Sequence, residues 1–163
     1  ISSPFGNFTD IMWATKEGKR ILIAPNNQIS DYVQSLYTFD EIVIEEISVA
    51  NFEGGMKLTS ESLNLEYRWS RGWTIPFSRS LFFIATVESL FAKLFFGTRT
   101  HGVTKNGRKE WYAIDRVSSI TNAIATINSQ DAGGKRPMKE PCKFGFSEAP
   151  KKPSSCEVRT HIL

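Results

Sequence analysis

Cysteine and histidine are scarce in this chain of 163 residues, with two of each. Cys142 and Cys156 are too few for a disulfide framework, and whether they pair stays open. A zinc site needs three or four closely set ligands. His101 has no cysteine near it in the sequence, and His161 has only Cys156, so neither opens a metal motif. A cysteine–histidine dyad needs a rigid frame, and both thiols fall in the stretch least suited to provide one. Walker loops, dinucleotide fingerprints, HExxH and GxSxG are all missing. Nothing therefore calls for a cofactor or a metal, and the reading leans away from an enzyme without excluding a site assembled from distant residues. The chain also lacks a run of the ~20 apolar residues that a bilayer span needs. Its most apolar stretch, residues 81–96, is shorter and contains Glu88 and Lys93. It opens at Ile1 without an initiator methionine, as a processed or excised piece would, and the compartment is left open.

What is present describes a globular domain. Hydrophobic residues make up 40% and charged residues 23%, the proportions of a folded, soluble chain. Twelve phenylalanines, four tryptophans and four tyrosines make much of the expected core aromatic. The net charge of +3 is unevenly placed. Residues 1–97 carry 8 basic and 11 acidic side chains, whereas residues 98–163 carry 12 and 6. Such asymmetry predicts a positive face or tail that attracts phosphates, anionic lipid heads or an acidic protein.

The local patterns predict an α+β fold: a mostly antiparallel sheet packed against one long buried helix and a second, C-terminal helix, with an extended tail. Two apolar runs around Lys16-Glu17-Gly18-Lys19 read as a hairpin. Ser30 is the expected N-cap of a short helix carrying Tyr32, Val33, Leu36 and Tyr37 on one face. Strands are expected at 41–49, 57–67 and 73–77, the last with Pro76 at its edge. Residues 80–96 carry only a narrow polar stripe of Arg79, Thr86 and Lys93, which predicts a helix enclosed on most sides and stopped by Gly97. Asn106-Gly107 signals a hairpin, with a return strand at 110–114. Val117, Ile120, Ile124 and Ile127 recur at helical spacing, so 116–129 is read as the second helix. Residues 1–130 form the expected single domain, and 131–163, rich in Lys and Pro, the tail.

The strongest functional signal is Arg99, His101, Lys105, Arg108, Lys109 and Trp111, which joins cations, a tight turn and an aromatic. A hairpin of this kind clamps phosphates, and a tryptophan on it stacks on a base. The chain is accordingly expected to be a non-catalytic binding module for an anionic partner, nucleic acid foremost. The ordinary alternative is a solvated hairpin whose tryptophan returns to the core. A second function class is a self-assembling subunit, a homo-oligomer joined through the aromatic helix and the tail. A third is a metal-dependent hydrolase built on Asp40, Glu41, Glu45 and Glu46; a solvated strand edge, which discourages edge-to-edge association, is the preferred reading of those acids. Arg68, Trp69, Arg71 and Trp73 form a further basic–aromatic group, for which cation–π contacts within a strand pair suffice.

Overall fold

The computed structural model describes residues 2–3, 5–75, 78–139 and 142–163. It is a mixed structure, mostly strands, with two helices and largely antiparallel sheets. A short pair, β1 (Ser2–Ser3) and β2 (Gly6–Asn7), precedes a three-stranded sheet. In that sheet β3 (Ile11–Ala14) and β4 (Arg20–Ala24) form the expected hairpin. The helix α1 (Asn27–Leu36) then crosses over to β5 (Glu41–Ile44), which lies parallel to β4. The N-cap of α1 is Asn26, whose side chain accepts from the Ile29 amide at 2.9 Å; Ser30 sits one turn further in and is buried. Leu22, Ala24, Ile29 and Val33 form the core of this unit.

The larger sheet begins as a meander of β6 (Ser48–Phe52), β7 (Gly55–Thr59) and β8 (Leu63–Trp69). The expected strand at 41–49 is thus divided between two sheets. β9 is only Trp73–Thr74, and Pro76 and Phe77, the rest of the expected strand, lie outside the described residues. After the aromatic helix at 81–96 come β10 (His101–Val103) and β11 (Lys109–Ile127). β11 has 19 residues, about 60 Å of extended chain, and is the spine of the molecule. Along one edge it pairs successively with β8, β9 and β10. Along the other lie β12 (Gln130–Asp131) and β13 (Ser154–Ile162). β13, drawn from the segment read as tail, pairs with residues 110–119 over nearly its whole length.

Two expectations about helices are corrected. Residues 116–129 are not a helix; most of that segment is the second half of β11. Two bulges, at Ile114/Arg116 and Ile120/Asn122, interrupt its register. Each inserts one residue and reverses which positions face inward. Trp111 and Ala113 pack inward, then Ser118 and Ile120, then the less exposed Ala123 and Ala125. Val117, Ile120, Ile124 and Ile127 therefore do not share one buried face, with Ile120 buried and Ile124 61% exposed, and the Val, Ile and Thr content favours strand.

The long buried helix is also corrected. The helix does run from 81 to 96, capped by Ser80, whose hydroxyl accepts from the Phe83 amide, and ended by Gly97 at φ +70. Its middle turn, Ile84–Glu88, is a π-helix. It is only 16 residues long and is not enclosed. Ile84, Glu88 and Ala92 are buried, while Phe82, Leu94 and Phe95 are 78%, 70% and 72% exposed. The helix rests on β11 through its π-helical middle, and beyond Ser89 only Ala92 is buried.

Candidate functional site

The hairpin of β10 and β11 forms as its Asn-Gly signal predicts. His101 pairs with Trp111, Gly102 with Glu110 and Val103 with Lys109. The turn closes where the Thr104 amide donates to the Arg108 carbonyl at 2.9 Å, and the Gly107 amide to the Thr104 carbonyl at 3.0 Å. Gly107 sits at φ +86, a conformation that costs other residues strain. The buried Thr104 hydroxyl accepts from the Arg108 amide at 3.1 Å, so the tip is held from inside. Lys105, Arg108 and Lys109 are exposed on this frame, and Arg99 is exposed just before it. None of the four joins an ion pair among the described residues.

The two aromatic members of the group do not share that exposure. Trp111 is 8% exposed and packs in a cluster with Ile84 and Ala113. His101 lies against the Trp111 ring, 5.0 Å between centroids. His161, opposite Trp111 on β13, is exposed. The structure therefore leaves the four cations exposed and turns the tryptophan into the core.

Beneath the hairpin lies a polar cluster that composition does not disclose. Glu110 is 0% exposed. Its Oε1 accepts from the Tyr37 hydroxyl at 2.6 Å, and the Tyr37 and Tyr112 hydroxyls are 2.9 Å apart. Its Oε2 has no hydrogen-bond partner among the described residues. Burial raises the Glu110 carboxyl above its ordinary value, against the hydrogen bond from Tyr37. Burial likewise pushes both tyrosine hydroxyls up, Tyr37 aided by Tyr112 and Glu110, and Tyr112 by Glu110 against the hydrogen bond with Tyr37. Phe146 stacks on Tyr112 at 5.2 Å and fills the space that a side chain on Gly102 would occupy. The Lys105 amide donates to the Leu36 carbonyl at 2.9 Å, which ties the smaller sheet's helix to the hairpin.

A second buried network fixes the aromatic helix. The Arg79 side chain, almost wholly enclosed, donates to the Ile114 carbonyl at 2.7 Å and to Asp115 at 2.8 Å, and lies 3.6 Å from Glu88. Glu88 accepts from the Ile114 amide at 2.9 Å, and Arg159 grips Asp115 at 2.7 and 2.9 Å. The amide and carbonyl of Ile114, at the first bulge of β11, are thus satisfied by side chains. Hydrogen bonds from Arg159, with the charges of Arg159 and Arg79, hold the Asp115 carboxyl below its usual range against partial burial.

Of the acids at 40–46, Asp40, Glu41 and Glu45 are drawn into separate contacts and Glu46 is exposed. Asp40 accepts from Arg20 at 2.7 and 2.9 Å, which lowers its carboxyl to about 2. Glu41 pairs with Lys19, and Glu45 accepts from the Ser62 amide and hydroxyl at 3.0 and 2.9 Å. Among the described residues no three His, Cys, Asp or Glu side chains are grouped so as to hold a metal ion. Both cysteines are free. Arg68 stacks over the Phe52 ring, 4.8 Å from its centroid, rather than over a tryptophan of its own cluster. An open cleft of about 550 Å³ between β3 and the larger sheet is lined by Met12, Leu58, Leu65 and Tyr67; Asp10 at its rim is raised by burial. No family model, no curated protein and no solved structure matches this chain.

Proposed function

We propose that this chain is a non-catalytic binding module that engages an anionic partner through the cations of the 98–111 hairpin. The observation that carries the reading is the set of Arg99, Lys105, Arg108 and Lys109, exposed on one internally braced hairpin and free of ion pairs among the described residues. Such cations can neutralise phosphates at the hydrated surface and gain by releasing counterions from a polyanion. Nucleic acid fits this surface through its phosphates. Base stacking is not part of the reading, because Trp111 is committed to the core.

The test is equilibrium binding to a mixed oligonucleotide pool across a salt series. Affinity should fall as salt rises, with a logarithmic slope of about 0.7–0.9 per phosphate contacted. Reversing Lys105, Arg108 and Lys109 to glutamate should flatten that slope. Binding unaffected by salt contradicts the proposal.

A second reading, self-assembly through the aromatic helix, is favoured by the exposure of its phenylalanines. It expects a mass in light scattering well above the chain's 18.4 kDa. Strand exchange by the C-terminal segment has a cost in that reading, since β13 already completes this chain's own sheet.

A further inference from the structure

We propose that the anionic partner is the surface of a lipid bilayer, and that the aromatic helix lies in the interfacial plane while the neighbouring cations hold the headgroups. The inference rests on the reading of an anionic partner and names its class.

The polarity of the helix is reversed relative to a core helix. Glu88 faces inward onto Arg79 and the Ile114 amide, whereas Phe82, Leu90, Phe91, Leu94, Phe95 and Phe96 face out. Phe91 and Phe95 stack on one another at 6.0 Å on the outer side. Scattered apolar residues on a surface are ordinary; a continuous aromatic ridge on one element marks a contact surface. The ridge is also held in place beforehand, because the buried Arg79–Glu88–Asp115 network anchors the helix from below. At 16 residues the helix is about 24 Å long, short of a bilayer's ~30 Å core. No helix among the described residues is long and apolar enough to cross a membrane. A helix of this kind lies on a bilayer rather than through it.

Charge selects the occupant. Between residues 78 and 114 the only acids are Glu88 and Glu110, and both are buried. Every exposed charge in that stretch, on Lys93, Arg99, Lys105, Arg108 and Lys109, is positive. Nucleic acid complements the cations but offers nothing to a ridge of phenylalanines. A second copy complements the ridge, but its own stretch 78–114 adds only further positive exposed charge beside these cations. An anionic bilayer supplies apolar chains and negative headgroups together.

Flotation of the intact chain with vesicles tests the idea. Phosphatidylcholine vesicles are compared with vesicles that also contain phosphatidylserine, beside the oligonucleotide pool. Binding to the phosphatidylserine vesicles should exceed that to phosphatidylcholine by more than about tenfold and weaken with salt. The Leu94→Ser/Phe95→Ser variant should lose it while melting like the parent, since both side chains are exposed. Vesicle binding indifferent to that variant overturns the inference, because charge alone then carries the contact. Binding to oligonucleotides without binding to vesicles overturns it and leaves the anionic reading standing; binding to neither removes both. A discrete dimer abolished by the ridge variant, with no vesicle binding, assigns the ridge to a second copy.

Discussion

Glu110 is the residue at which sequence and structure diverge most instructively. In the sequence it is one acid among lysines and arginines; in the fold it is wholly buried, with one oxygen on Tyr37 and the other unpartnered. A carboxyl raised by burial binds its proton more tightly folded than unfolded. The folded state therefore holds more protons above the unfolded value of about 4.5, and stability falls as pH rises from there through the raised folded value. Glu110→Gln keeps an acceptor for Tyr37 and removes the charge. We expect it to melt at or above the parent temperature at pH 7, with the difference vanishing near pH 4. A variant less stable at pH 7 than at pH 4, relative to the parent, contradicts this assignment. Asp115 behaves in the opposite sense. Its carboxyl is held low by Arg159 and Arg79, so its contribution is present above about pH 3.8 and is lost as pH falls through its lowered value. Glu88→Ala leaves the Ile114 amide without its acceptor and Arg79 with Asp115 as its remaining carboxylate partner. It should cost about 1–3 kcal/mol in chemical denaturation; a loss below about 0.5 kcal/mol would contradict the anchoring role.

At the scale of elements, the short signals were legible and the long ones were not. The Asn-Gly turn, the hairpin at 11–24, the Ser80 and Gly97 ends of the aromatic helix and the start of β11 each follow from a few adjacent residues. The helical spacing of Val117, Ile120, Ile124 and Ile127 misled because apolar residues on both faces of a strand can fall at that spacing by chance, whereas the pairing of β11 with β8 and β13 fixes the strand. The two readings differ experimentally. A helix would bury Ile120 and Ile124 together, whereas in β11 Ile120 is buried and Ile124 is 61% exposed. Ile120→Ala should cost about 2–5 kcal/mol and Ile124→Ala about 0.5 or less in urea unfolding. Equal losses would restore the helix. The aromatic helix misled for another reason: periodicity identifies an apolar face, and only the partner decides whether that face is buried. Here the polar Glu88 is the inward residue because Arg79 and the bulge at Ile114 await it.

For the whole molecule, the uneven charge of the sequence becomes a located surface. The exposed charges of 78–114 are all positive because its two acids are drawn into the interior, one under the hairpin and one under the helix. The candidate cations were legible as a cluster, since a hairpin turn and its flanking residues are local. The withdrawal of Trp111 is the ordinary alternative that the sequence itself offers; its core partner Ile84, remote in sequence, was not legible. The neighbouring ridge was hidden for the same reason. β13 extends the larger sheet with residues whose Lys- and Pro-rich approach reads as tail. The most direct measurement of the account is binding of the intact chain to phosphatidylserine-containing vesicles and to the oligonucleotide pool across a salt series, beside the Lys105→Glu/Arg108→Glu/Lys109→Glu variant. The account predicts association with at least one of these polyanionic surfaces that weakens steeply with salt and is lost on charge reversal. Association indifferent to both salt and reversal, or no association at all, would contradict it.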